Sequence, residues 1–300
     1  MKIKPAYVLI ITSVLIWGAT PAIMKLTLAQ IPVFSLAFLR MAIASLIMAP
    51  LITKQIKFKK EDFLMFFLSA FFGVTLNLSF FFIGLKLSFA INAALLIAAV
   101  PIFALLAGHI YLKEKLTSKI ILASVLALAG VVIIIGRPTP GSTLTHFIGN
   151  ILLLLASLAV VAQELVAKKL FRKYSGETVA FHTMAIGAAT FAPLALWEYF
   201  ANPTWFQGVN LVGVSGLIYG ILFASLIAYW AWLKGLSKLP LGEASFFFYL
   251  DPITGVALAV VLLGEKLTPT LILGGILIAI GVFLAEQKRR NHPLLKDAVN

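Results

Sequence analysis

Apolar residues gather along this chain in ten long blocks, at about 6–27, 33–53, 63–85, 91–112, 118–136, 147–167, 177–199, 211–233, 241–263 and 269–286. Each is close to the ~17–25 residues that a helix needs to cross the hydrocarbon of a bilayer. The predicted fold class is therefore an all-α membrane protein of ten transmembrane helices. The first block follows Lys2 and Lys4, the layout of a signal peptide. Its apolar run is longer than a signal peptide's and it carries Lys25, so it reads as a span.

Composition points the same way. Of 300 residues, 61% are hydrophobic and 12% charged, against ~45–50% apolar and ~25% charged in a soluble domain. So few charges exclude an ordinary soluble enzyme and a disordered chain. The absence of cysteine excludes a disulfide framework, thiolate metal sites and a cysteine nucleophile. No cofactor and no metal is expected. The net charge of +13 lies in short basic runs between apolar blocks, which suits anionic lipid at a cytoplasmic face and not nucleic acid.

Those runs predict orientation. The N-terminus, the even-numbered connections and the C-terminus hold 19 Lys and Arg, including Lys54, Lys57, Lys59 and Lys60, then Lys168, Lys169, Arg172 and Lys173. The odd-numbered connections hold 4: Lys25, Lys86, Arg137 and Lys266. This asymmetry predicts both termini in the cytoplasm.

The chain also repeats itself. "AFLRMAIASLIMAP" at 37–50 pairs with "AFHTMAIGAATFAP" at 180–193, a shift of 143. At a shift of 151, 84–130 falls on 235–281 with 14 identities, among them Pro101 on Pro252 and "EKLT" at 114–117 on "EKLT" at 265–268. Chance likeness between Leu/Ala-rich helices does not align two prolines and a charged string in one register. The predicted units are 1–141 and 142–300, five spans each. Because five is odd, the second copy crosses upside down, and inverted repeats are typical of secondary transporters with a site at the repeat interface.

"WGATPAIMK" at 17–25, "LAFLRMAIA" at 36–44, Pro101 followed by "LKEKLT", and Pro252 followed by "LLGEKLTPTLILGGILIAIGVFL" resemble the drug/metabolite transporter superfamily, EamA family. The resemblance covers nearly the whole chain. It implies ten helices with both termini inside, in the cytoplasmic membrane if the source is bacterial. It also implies a cavity lined by spans one, three, four, six, eight and nine, and export of small metabolites, amino acids among them, with proton coupling in some relatives.

Several residues are candidates for chemistry. Asp251 stands mid-span before Pro252, where an ionised carboxylate costs at least ~2.5–3.5 kcal/mol; it is a candidate for substrate binding and proton coupling. The first-half match is Val100 before Pro101, so only the kink repeats. Arg40 cannot shed its proton and needs acceptors; a structural clamp is favoured over a substrate contact, since the resemblance makes span two peripheral. Glu164, four residues before Lys168, suits either a helix ion pair or a cavity carboxylate. Glu243 reads as a helix-start residue, and Glu114 and Glu265 as turn devices.

Lys25 and its repeat mate Lys168 can snorkel to an interface. His182 is either a proton relay or a packing residue, and His109 sits near an interface. Trp17, Asn77, Asn92, Tyr219 and Phe248 are candidates for holding an amphipathic solute. Pro21 should kink span one and free the carbonyl of Trp17. Gly274, Gly275 and Gly281 allow a tight intrachain contact or a homodimer face; monomer and homodimer stay open. The competing functions are a channel or structural membrane subunit and, further off, an intramembrane lipid-modifying enzyme, for which no paired-Asp motif or HExxH is present.

Overall fold

The computed structural model describes residues 5–52, 57–112, 118–136, 144–239 and 241–290. Among them the chain forms helices and no strands, in ten segments named here α1 to α10. They are α1 (Pro5–Leu28), α2 (Val33–Met48), α3 (Lys60–Leu87), α4 (90–112), α5 (Ser118–Gly136), α6 (Leu144–Leu170), α7 (Gly176–Ala201), α8 (Leu211–Leu236), α9 (241–263) and α10 (Pro269–Arg290). Six of them, α1, α3, α4, α6, α7 and α8, are long and apolar enough to cross a membrane. Shorter apolar stretches, Val33–Met48, Ser124–Ile134, Asp251–Leu263 and Pro269–Gly281, lie in the other four.

The predicted blocks match these helices, with local departures. α2 stops at Met48, short of its apolar block, and the chain tightens into a 3-10 turn that contains Pro50. The ring of Pro50 clashes with the turn behind it and the residue lacks an amide donor, which ends an α-helix. α4 and α9 are both interrupted at their repeated prolines. In α4 a turn at 98–99 separates Ala90–Ile97 from Val100–Leu112. In α9 a 3-10 stretch, Phe246–Leu250, precedes Asp251–Leu263, with Pro252 in its first turn. α1 runs through Pro21 without a break.

α3 and α8 carry a feature that the pattern did not predict. Each contains a π-helical stretch, Phe71–Leu76 and Tyr219–Ile227, at matched positions of the repeat. Such wide turns free carbonyls from the regular ladder and are frequent at functional sites.

Packing pairs the two halves of the chain. α5 lies along α10, α2 along α7, and α4 against α9; α1 packs on α8 and α9, as α6 packs on α3 and α4. Exchanging each helix for the one five places on leaves this set unchanged. Gly130 of α5 faces Gly274 of α10 so closely that a Cβ on either would stand 2.5 Å or 2.9 Å from the other's carbonyl oxygen. Gly274 thus serves a contact within the chain.

Contacts between helix ends define two ends of the bundle. At one, Lys25 meets Ser88 and Glu265, Glu198 accepts from the amides of Phe34 and Ser35 at 3.1 and 2.6 Å, and Gln30 accepts from Asn210. At the other, Asp62 accepts from Lys173 and Tyr174, both at 2.7 Å, and Lys168 donates to Leu236 and Leu239. Lys25 and Lys168, which correspond in the repeat, thus lie at opposite ends. Many large apolar side chains face outward between the ends, Leu46, Leu64, Phe200 and Val261 among them. Water would penalise that surface, whereas lipid is its natural solvent.

Candidate functional site

A cavity lies in the middle of the bundle. Its walls come from α1, α3, α4, α6, α8 and α9, the six helices expected from the resemblance, joined by Arg40 and Met41 of α2. Span two is therefore not peripheral, because α2 packs against the π-helical stretch of α8 and this contact carries Arg40 inward.

One side of the cavity is aromatic. Trp17 stacks on Phe248 with ring centroids 6.2 Å apart and planes 8° apart, and both rings meet Trp232, at 5.6 and 4.6 Å. Tyr229 closes the cluster, its hydroxyl receiving Gln163 Nε2 at 2.5 Å. The indole N–H of Trp17 donates to the carbonyl of Ala224 at 3.0 Å. Ala224 lies in the π-helical stretch of α8, so the wide turn supplies the acceptor that holds the ring against the cavity.

Asp251 enters where α1 and α9 pack most closely. A Cβ on Gly18 would stand 1.8 Å from Thr254 Oγ1 and 2.8 Å from the Asp251 carbonyl, so only glycine permits the approach. Asp251 is 3% exposed, and among the described residues its Oδ1 has no hydrogen-bond partner. It lies in the wall one turn from Phe248.

Arg40 is also 3% exposed. Its Nε donates to the Gly220 carbonyl and to Ser225 Oγ, both at 3.2 Å, Nη1 meets Met24 Sδ, and the guanidinium lies 5.3 Å from the Phe82 ring centre. Among the described residues no carboxylate forms an ion pair with it. Arg40 is at once a clamp on the π-helical stretch of α8 and part of the cavity wall.

The other expected site residues divide. Asn77 lines the cavity and donates to the Ala156 carbonyl at 3.0 Å. Tyr219 stands behind the wall: its hydroxyl donates to the Ile16 carbonyl, which also receives Thr20, and it lies within electrostatic reach of Arg40 and Asp251. Asn92 bonds to Ser88 and Asn150 near the Lys25 end, outside the wall. His182 packs among Phe58, Phe66 and Phe181 with Nδ1 2.8 Å from the Thr178 carbonyl, away from the cavity.

Glu164 does not form the expected ion pair with Lys168, whose ammonium is taken by the Leu236 and Leu239 carbonyls. Instead Glu164 is fully buried beside Ser245 and Trp232, and among the described residues neither of its oxygens has a partner within hydrogen-bonding geometry. Pro21 is in the wall; Pro101 and Pro252 set the breaks of α4 and α9. Glu114, with the first "EKLT", lies outside the described residues, as does the side chain of Glu243.

Sequence reasoning missed Thr20, Met41, Gln163, Tyr229 and Trp232. The last two had a signal in "AYWAW" on span eight, and Gln163 had one as a polar residue inside a span. Met41 had none.

Comparison with known proteins places this geometry. The chain is 30% identical over 288 residues to a protein of Archaeoglobus fulgidus named as an uncharacterized transporter, covering 94% of this chain and 98% of that one. It is 26% identical over 291 residues to the uncharacterized transporter YetK of Bacillus subtilis, covering 95% and 88%. It is 27% identical over 199 residues to a probable terminal-alkyne amino-acid exporter of Streptantibioticus cattleyicolor, covering 66% and 64%. A solved crystal structure shares the fold, with a TM-score of 0.69 at 19% identity over 95% of this chain and 98% of that one. A model of the EamA-like transporter family matches twice, over residues 4–136 and 147–286. The chain belongs to the EamA-like transporter family and is an integral membrane protein.

Proposed function

We propose that this protein is a secondary transporter that exports small organic solutes, amino acids or similar amphipathic molecules, by alternating access through the central cavity. In this reading ten helices cross the bilayer as two inverted five-helix repeats, 1–141 and 142–300, with both termini in the cytoplasm. Support comes from the doubled family match, from the opposite placement of Lys25 and Lys168, and from the basic connections. The name of the Streptantibioticus relative supports an amino-acid-like cargo.

One observation carries the reading: a cavity with an aromatic side where, among the described residues, an Asp251 oxygen has no partner and Arg40 no carboxylate. A zwitterion satisfies both groups at once, its ammonium at Asp251 and its carboxylate at Arg40, while its side chain rests on Trp17 and Phe248. Charge-assisted hydrogen bonds of this kind contribute ~1.5–3 kcal/mol each. With no solute bound, a carboxylate at this depth is costly, and a proton neutralises it. Cargo and proton then compete for Asp251, which is the elementary requirement for exchange coupling. One proton driven across 100 mV supplies ~2.3 kcal/mol.

Counterflow tests the proposal. Purified protein in liposomes loaded with an unlabelled amino-acid mixture should take up labelled amino acid transiently and saturably, and an imposed pH gradient should change the rate. Absence of counterflow for amino acids and related zwitterions sinks the cargo assignment. Flux that ignores the pH gradient removes proton coupling.

A further inference from the structure

At the Lys25 end of the bundle one carboxylate ties the two halves together. α9 ends at Leu263, and Gly264 turns the chain with a φ of 64°, a left-handed conformation that side chains resist. The next residue, Glu265, reaches across to α4. Its Oε1 accepts from the Ala90 amide and its Oε2 from the Ile91 amide, both at 2.8 Å. Lys25, in the last turn of α1, stands 3.5 Å from Oε1, donates to the Ser88 carbonyl and lies 5.4 Å from the Phe89 ring centre. A residue of the second half thus caps the first two amides of α4 and neutralises the last cation of α1.

The place of this latch matters. Ala93 and Ile97, about one and two turns further along α4, are cavity wall. The latch therefore joins α4 and α9 on the Lys25 side of the cavity. Both helices are interrupted, at 98–99 and at 246–250, so the stretches of α4 and α9 on this side can swing without bending a continuous helix. The Lys25 side chain is 29% exposed, and water already reaches the edge of the contact. When the helices part, water replaces each partner, and no buried group is left bare.

Lys168 binds the α8–α9 turn through the Leu236 carbonyl at 2.5 Å and the Leu239 carbonyl, as Lys25 binds the α3–α4 turn through Ser88. A lysine clamp is thus part of each half. The Lys25 clamp also receives a carboxylate from the other half; Glu114, the repeat mate of Glu265, lies outside the described residues.

We propose that Glu265 is a gate residue: its bridge to Ala90, Ile91 and Lys25 holds the cavity shut toward the Lys25 face, and its release opens the cavity to that face. The inference rests on the carrier reading above and adds to it the contact that separates closed from open.

The chain has no cysteine, so Ile97→Cys makes a single thiol in the cavity wall. Its reaction with a membrane-impermeant methanethiosulfonate is followed in sealed vesicles of each orientation, alone and combined with Glu265→Gln or Lys25→Met. The gate predicts that labelling from the Glu265 face rises at least about fivefold in both combinations, since removing a contact made only in the closed state shifts the population to the open one. If Glu265→Gln elutes as an aggregate in size exclusion, Lys25→Met carries the comparison. Unchanged or slower labelling in folded variants overturns the proposal. Labelling does not require cargo, so wild-type counterflow in the same vesicles separates the two readings: transport with no change in labelling sinks the gate alone, and changed labelling without transport sinks the carrier alone.

Discussion

Arg40 and Asp251 differ in how their charge is met. Arg40 has acceptors in Gly220 and Ser225 but, among the described residues, no counter-charge, so it tolerates an empty cavity better than Asp251 does. Arg40→Lys keeps the charge and loses the planar fork. In counterflow it should raise the half-saturating concentration of an amino acid by about tenfold or more, and leave the corresponding amide nearly unaffected. An equal change for acid and amide would mean that Arg40 acts only as a clamp. Asp251→Asn preserves volume and removes the charge. The variant should purify with its wild-type elution profile and transport at a rate independent of an imposed pH gradient; a wild-type response to the gradient would take Asp251 out of the coupling.

At the scale of helices, the site depends on one close approach and one turn. α1 meets α9 at Gly18, where a Cβ would press on Thr254 and on the Asp251 backbone. Gly18→Ala should lower stability by ~1–3 kcal/mol through overpacking, read as a fall in melting temperature. Adding Thr254→Ala should recover part of that loss, because it removes the nearer of the two obstructions; no recovery would place the strain elsewhere. Gly264 meets no atom that a Cβ would strike, so its constraint is purely conformational. Gly264→Ala should cost ~1–2 kcal/mol, with Gly264→Asn milder, and the order of their melting temperatures checks this. The π-helical stretches are the other device at this scale, since one supplies the carbonyl that fixes Trp17.

For the molecule as a whole, the pairing of the halves and the charge asymmetry make a prediction about topology. Impermeant thiol reagents should reach Lys59→Cys and Lys266→Cys from opposite sides of the membrane, and labelling both from one side would end the inverted-repeat account. The apolar blocks, the two prolines and the doubled build were legible in the chain, each as a mark at a fixed position, and the orientation that the basic runs predict is what this labelling tests. The cavity was legible only in part. Asp251, Trp17, Asn77 and Phe248 stood out because a charge, a large ring or an amide inside an apolar block is conspicuous. Tyr219 and Asn92 were equally conspicuous but lie behind the wall, and Glu164 next to Lys168 suggested a pair that the α8–α9 turn preempts by taking the ammonium.

The amino-acid pattern alone determined where the apolar helices lie and that the chain is built twice, while proline interrupts α4 and α9 but not α1. Those properties depend on transfer free energy and backbone sterics, which act on each segment locally. Which side of each helix faces the cavity was decided by tertiary packing. In water a buried face differs from a wet one, and the difference is written in the period of polar residues. Lipid is as apolar as a protein core, so a span has no polar face to betray its rotation. The placement of Arg40, the turning away of Glu164 and the reach of Glu265 into the other half follow from which helices touch, and no local pattern encodes them.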